Sequence, residues 1–380
     1  MTKWKIPLFK MFYDEEDVKN VTNVIKRGMF WGLSEETTRL EKMLANHVGT
    51  RYCVVFNSGT SALHAALLAY GIKNPDEVIV PSFTFIASAN SILFVDAVPV
   101  FADIENKTFG LSPQDVQSKI TARSRAIIPV HYAGNMCKIN ELKEIAKDHN
   151  LLLIEDAAEA LGTKLKTKMA GSFGNCSILS FAWNKIITSG EGGAVLTNTK
   201  KIYEKLLLIR SHGRIDKENY FMSSISPEYI TLGYNWRMSA ITAALAISQL
   251  KKLDMLISMR IKNSEYLTKK LKKLPFIETP KAQANSIHTY MMYTIRIKNG
   301  KKIRDALQKF MTKKGIQTKV IFEPIHLTKF YKRKFGYKNG LLKNTEKISD
   351  EVLTLPMFPH LKKSELNYIS DSIEQFSEKI

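Results

Sequence analysis

Between residues 52 and 155 short apolar runs alternate with amphipathic ones, and this rhythm constrains the fold more than any other feature of the 380-residue chain. Cys53–Phe56, Glu77–Val80, Val98–Phe101, Ala126–Val130 and Leu151–Ile154 are brief and rich in branched residues, as buried strands are. Ser61–Ala69 and Lys138–Lys147 carry apolar side chains at helical spacing. Strands that alternate with helices pair in parallel, because each crossover returns the chain to the same end of the sheet. Helical patterns at Asp14–Lys26 and Glu36–His47 precede this region. After Met238 a long helical stretch runs through Leu250 and Leu253 towards Leu271. Tyr290–Ile297, helix-like Lys301–Lys313, strand-like Thr318–Phe322 and a last helical run from Ser364 follow. The expectation is an α/β fold with a large, mostly parallel sheet domain over residues 1–250 and a smaller α+β domain over residues 251–380.

Three segments of that frame suit a small anionic cofactor. Asn57-Ser58-Gly59-Thr60-Ser61 follows a strand and opens a helix, so backbone N–H groups, hydroxyls and the helix dipole converge where an anion can sit. An ordinary N-cap uses the same residues. Leu151 to Glu159 is an apolar strand ending in acids; the ligand crevice of an open α/β sheet lies beyond the carboxyl ends of its strands, which places Asp156 beside it. Asp156 as the cap of a following helix is the other reading. Lys185 stands in SILSFAWNKIITSGEGGAVLTN, between strand-like Ser177–Phe181 and Ala194–Asn198 and just ahead of Gly190-Glu191-Gly192-Gly193. A lysine beside a glycine turn is commonly just solvated, yet an amine on a tight loop is also placed to form a Schiff base. Taken in order, an anion turn, a carboxylate to keep a pyridine nitrogen protonated and a tethering amine are what a pyridoxal phosphate enzyme needs.

NSGTSALHAAL, PSFTFIASAN, IEDAAEALG, SFAWNKIITSGEGG and GYNWRMSAITAALA together resemble the motifs of the DegT-type nucleotide-sugar aminotransferases, which have the fold-type I architecture of aspartate aminotransferase. The likeness runs from Ile6-Pro7-Leu8 nearly to the C-terminus. It implies pyridoxal 5′-phosphate as cofactor, Lys185 as its attachment point and proton carrier, and Asp156 at the ring nitrogen. Gly59, Thr60 and Ser180 become phosphate contacts, and Phe85 the ring that stacks on the cofactor. Asn235 resembles a residue that reaches the partner's cofactor phosphate in a homodimer with shared active sites; Arg237 resembles a substrate or interface contact, and His326 one lying near the sugar nucleotide. Each of these side chains is equally compatible with a packing role.

Glu159 departs from the Gln or His that many relatives carry. A carboxylate donates a hydrogen bond only when protonated, so if Glu159 faces the cofactor's phenolic oxygen, neighbouring negative charge is expected to raise its pKa. Some 4-aminotransferases of the family, of the GDP-perosamine synthase type, carry Glu there. The implied reaction is transfer of an amino group from L-glutamate to the C4 keto group of a nucleoside-diphosphate 4-keto-6-deoxy sugar. Relatives with histidine in place of the lysine are dehydratases, so Lys185 favours transamination. A 3-aminotransferase, a cyclitol aminotransferase and a cofactor-binding regulator without turnover are the alternatives.

A net charge of +20 raises nucleic acid as a partner, and basic residues far outnumber Asp305 and Glu323 between Lys301 and Thr345. That segment has neither zinc-finger spacing nor an RNA-type aromatic signature. A lysine-rich solvated surface, part of it drawing an anionic sugar diphosphate towards the site, accounts for the excess. Neither nucleic acid nor membrane is expected as a partner, for no run is long and apolar enough to span a bilayer and Met1–Ile6 has no signal-type core. Cys53, Cys137 and Cys176 are odd in number and scattered, which fits free thiols in a reducing, cytoplasmic setting without a metal site.

Overall fold

The computed structural model describes residues 4–215, 224, 226–298 and 300–379. A seven-stranded sheet forms its centre, with strands β1 (Tyr52–Phe56), β2 (Glu77–Pro81), β3 (Val98–Ala102), β4 (Ser124–Ile127), β5 (Leu152–Asp156), β6 (Cys176–Ser180) and β7 (Gly193–Thr197). Across the sheet they run β1-β7-β6-β5-β4-β2-β3. The largely parallel arrangement expected from the alternation is present. Only β7 runs against its neighbours, pairing antiparallel with both β1 and β6, whereas every other adjacent pair is parallel.

Two strand ends differ from the sequence reading for a backbone reason. β4 stops at Ile127, short of Val130, where Pro129 has no N–H to give a ladder. β5 continues past Ile154 because the Asp156 N–H donates to the Pro129 carbonyl (2.8 Å) and the Asp156 carbonyl accepts from the His131 N–H (3.1 Å). Both acids at the end of the apolar run therefore lie on the strand, on opposite faces.

Helices cover the sheet. α1 (Glu15–Lys26) starts on a reciprocal cap in which Asp14 and Asp17 each accept the other's N–H. α2 (Glu35–Val48) buries Leu40, Leu44 and Val48. α3 (Gly59–Tyr70) has no polar face, with Ala62, Leu63, Ala65, Ala66, Leu67 and Ala69 all buried. Such a helix has to be enclosed, and it lies against β6 and β7 between the helices at Ala87–Leu93 and Lys200–Arg210.

The helical stretch after Met238 is two helices, α4 (Ala240–Lys251) and α5 (Leu253–Leu271). They meet at Lys252, whose ammonium reaches back to Asp14 and to Asp17 (3.0 Å). Beyond α5 an antiparallel sheet of β8 (Ile277–Glu278), β9 (Tyr293–Ile297) and β10 (Val352–Leu355) shares a core with α6 (Gly300–Lys313) and the helix Lys363–Ser377. Ile6, from the N-terminal segment, is buried in the same core. Thr318–Phe322 is not a strand, contrary to the pattern. It makes one antiparallel bridge, Lys319 to Thr354, and the Ile321 carbonyl accepts from the Tyr132 hydroxyl in place of a ladder partner.

Candidate active site

Three motifs distant in sequence meet on one rung of the sheet. Phe56 of β1 pairs with Gly193 of β7, which pairs on its other side with Ser180 of β6. The turn after β1 and the loop between β6 and β7 therefore open at the same edge. A side chain on Gly193 would lie 2.4 Å from the Ser58 carbonyl oxygen, and one on Gly59 would lie 3.1 Å from Ser180 Cβ. Glycine at both positions lets the start of α3 sit directly against the end of β6. Ser58 caps α3 by accepting from the Ser61 N–H (3.1 Å), and Gly59 and Thr60 begin the helix, where backbone N–H groups lack partners within it. The Asn57 N–H donates to the Trp236 carbonyl (2.9 Å), which draws GYNWRM alongside. Asn235 in that segment is exposed and bridges Ser211, and Arg237 Nη1 donates to Ser211 Oγ (3.3 Å).

Asp156, Glu159 and Lys185 converge beyond the ends of β5 and β6. Asp156 is buried; Ser88 Oγ donates to its Oδ2 (2.7 Å) and the Ala158 N–H to its Oδ1 (3.1 Å). Lys185 sits in a loop closed by Phe181 N–H to Gly192 O (2.8 Å) and Ser189 N–H to Phe181 O (3.0 Å). Its Nζ lies 3.8 Å from Glu159 Oε1, with side-chain exposure of 14% for the lysine and 7% for the glutamate. The other Glu159 oxygen accepts from the Ala133 N–H (2.8 Å). The Glu159 carboxyl is held above its ordinary pKa, and burial is the principal cause, with Lys185 and the Ala133 N–H opposing and Asp156 adding in the same direction. The upward direction agrees with the sequence reading. Its cause differs, because neighbouring negative charge is the smaller part.

Phe85 is 58% exposed, and its ring centroid is 6.3 Å from that of Phe322. His326 stands elsewhere. It has no exposed surface, Nδ1 lies 2.7 Å from Ser82 Oγ and Nε2 lies 3.2 Å from Glu346 Oε1. With both ring nitrogens engaged inside the protein, His326 fastens its segment to the end of β2.

The sequence reading missed the residues that hold the site from behind. Glu155, entirely buried, accepts from the N–H groups of Gly171 (2.8 Å), Phe173 (2.6 Å) and Gly174 (2.7 Å) and lies 3.0 Å from His131 Nε2. Ser88 steadies Asp156, and Ala133, at φ +58°, turns its N–H onto Glu159. Two successive acids after an apolar run were the only signal for Glu155, since strand alternation sends one of them away from the crevice.

This donor set fits pyridoxal phosphate: a helix start cleared of side chains for the phosphate, a carboxylate at a strand end for the ring nitrogen, and a nearly enclosed primary amine. Among the described residues no cluster of His, Cys, Asp and Glu suits a metal ion, and no helix is long and apolar enough to cross a membrane.

Known proteins agree. GDP-perosamine synthase of Escherichia coli O157:H7 is 38% identical over 331 residues, covering 87% of this chain and 86% of that protein. The pleiotropic regulatory protein of Geobacillus stearothermophilus is 35% identical over 364 residues, covering 95% and 94%. The structure of Helicobacter pylori PseC, an aminotransferase involved in the biosynthesis of pseudoaminic acid, superposes with a TM-score of 0.93 at 28% identity over 99% of this chain and 100% of that one. Residues 12–374 match the DegT/DnrJ/EryC1/StrS aminotransferase family, and the chain belongs to it as a pyridoxal-phosphate-dependent transaminase of fold type I acting on nucleotide sugars.

Proposed function

We propose that the protein moves an amino group from L-glutamate to the C4 keto carbon of a nucleoside-diphosphate 4-keto-6-deoxy sugar. The observation that carries this reading is the enclosed Lys185 amine, 3.8 Å from Glu159, a carboxyl that also feels the charge of Asp156. The name of the Escherichia coli relative supports the choice of C4 and of a GDP sugar.

Pyridoxal phosphate, when bound, supplies an electron sink for the charge left as a proton leaves the substrate carbon. Lys185 would anchor it, and its amine would carry the proton between the two carbons. Asp156 keeps a negative charge fixed at the end of β5. Gly59, Thr60 and Ser180 hold phosphate, and Phe85 covers one ring face. Glu159, its carboxyl pKa raised chiefly by burial, would face the phenolic oxygen. Asn235 serves the phosphate of the second subunit in a homodimer, and Arg237 meets substrate or that interface. Residues 1–250 carry the cofactor, and residues 251–380 close the substrate side. The cytoplasm is the setting.

Purified protein incubated with L-glutamate and GDP-, UDP- and dTDP-linked 4-keto-6-deoxy sugars, with products identified by mass and NMR, tests the proposal. A C4 amino sugar supports it and a C3 amine transfers the reading to a 3-aminotransferase. If no ketosugar is aminated, the substrate assignment fails; exchange between glutamate and 2-oxoglutarate then separates another transaminase from a regulator without turnover.

A further inference from the structure

Residues 301–350 contain 14 Lys and Arg against 4 Asp and Glu, a balance of +10, so an eighth of the chain carries half of its +20. A uniform lysine bias does not produce that concentration. Three of the four acids are also spent internally: Asp305 and Asp350 face Lys301, and Glu346 accepts from the Gly340 and Leu342 N–H groups and lies against His326.

Six of the 14, with no acid among them, lie on the helix α7 (Lys329–Phe335) and the segment after it as far as Lys343. The inner face of α7 is fixed to the β3 edge of the sheet: Tyr331 is wholly buried with its hydroxyl on Asn90 Oδ1 (2.9 Å), and the Tyr337 hydroxyl donates to the Pro99 carbonyl (3.3 Å). Lys329, Lys332, Arg333, Lys334, Lys338 and Lys343 are all exposed. Among the described residues none of the six forms an ion pair; Lys332 donates only to Asn339 Oδ1 (3.3 Å). Between them Phe330 and Leu341 are 55% and 44% exposed. Six like charges on a rigid patch repel one another, and large apolar side chains among them gain nothing in water. Both costs are relieved by a surface that is anionic at its face and apolar just beneath, which is how a bilayer of acidic phospholipids is built. An aliphatic side chain such as Leu341 has no comparable place on a phosphate backbone.

We propose that this patch, Lys329 to Lys343, is a peripheral docking surface for anionic phospholipid membranes, with Phe330 and Leu341 entering the headgroup boundary. The expectation that no membrane is a partner rests on the lack of spanning runs, a criterion that a surface-lying patch does not meet or fail. The patch shares no residue with the cofactor site, so docking is independent of the substrate assignment.

The test is co-sedimentation of the cofactor-loaded protein with vesicles of phosphatidylglycerol and phosphatidylcholine, against vesicles of phosphatidylcholine alone, across a salt series. Binding to the acidic vesicles only, weakening with salt, is expected. Lys332→Glu, Arg333→Glu and Lys334→Glu together should lower the partition coefficient by on the order of 100-fold, with the absorbance of the bound cofactor and amino exchange unchanged. Phe330→Ala should weaken the binding that survives at high salt. Equal sedimentation with neutral vesicles, or wild-type binding by the triple variant, overturns the proposal. Tighter, triple-variant-sensitive binding to duplex DNA than to acidic vesicles at the same salt also overturns it, in favour of a nucleic-acid surface.

Discussion

Glu155→Gln is the most informative single change, because it preserves size and removes only the second acceptor edge of a buried carboxylate. In the wild-type protein that carboxylate satisfies three backbone N–H groups and faces His131, with no contact to water. Oε2 serves Gly171 and His131, and Oε1 serves Phe173 and Gly174. Whichever way a glutamine amide turns, its NH2 faces two donors. Each buried donor left unpaired costs about 1–3 kcal/mol, so the variant should lose about 4 kcal/mol of stability. Urea denaturation of cofactor-free protein, followed by circular dichroism, measures this directly. His131 also gives its backbone N–H to the Asp156 carbonyl, so loosening the Gly171–Gly174 loop should displace Asp156 and weaken cofactor binding beyond what the lost stability explains. A loss below about 1 kcal/mol with unaltered cofactor affinity would refute the argument, since the loop would then have another anchor.

Four further outcomes are expected. Lys185→Ala should fold and bind cofactor reversibly, but borohydride should no longer fix the chromophore to the protein and turnover should vanish; residual covalent labelling at another lysine would move the attachment point. Asp156→Asn should still bind cofactor while turnover drops on the order of 100-fold or more, measured as single-turnover amino transfer. Gly193→Ala drives a methyl group to within 2.4 Å of the Ser58 carbonyl, and should cost about 2 kcal/mol and raise the cofactor dissociation constant; unchanged affinity by fluorescence titration would mean the phosphate turn yields freely. Burial holds the Glu159 pKa above its unfolded value, so its favourable contribution is complete below the unfolded pKa and is lost as pH rises through the folded one. Melting temperatures of cofactor-free wild type and Glu159→Gln should therefore diverge, in favour of the variant, as pH rises from the ordinary glutamate pKa towards the raised folded one; a constant gap would count against it.

The parallel core was legible because each strand is a compact apolar run flanked by turn residues and each crossover has its own helical period. The placement of Asp156, Lys185 and the Gly59 turn was legible for the same reason, since they occupy or follow the ends of those runs. Glu155 was not, although it adjoins Asp156: its partners Gly171, Phe173 and Gly174 come within reach only after β6 has docked on β5. Thr318–Phe322 shows the converse. Its composition favours a strand, yet the Tyr132 hydroxyl, remote in sequence, takes the Ile321 carbonyl and the ladder ends at one bridge.

The reversed direction of β7 has a mechanical consequence. Because that strand lies between β6 and β1, the segment bearing Lys185 is a hairpin clamped at both ends, and its clamp is the same row of three residues that supports the anion turn. The amine and the turn after β1 thus behave as one stiff jaw. Any closing motion around a bulky nucleotide has to come from the opposite side.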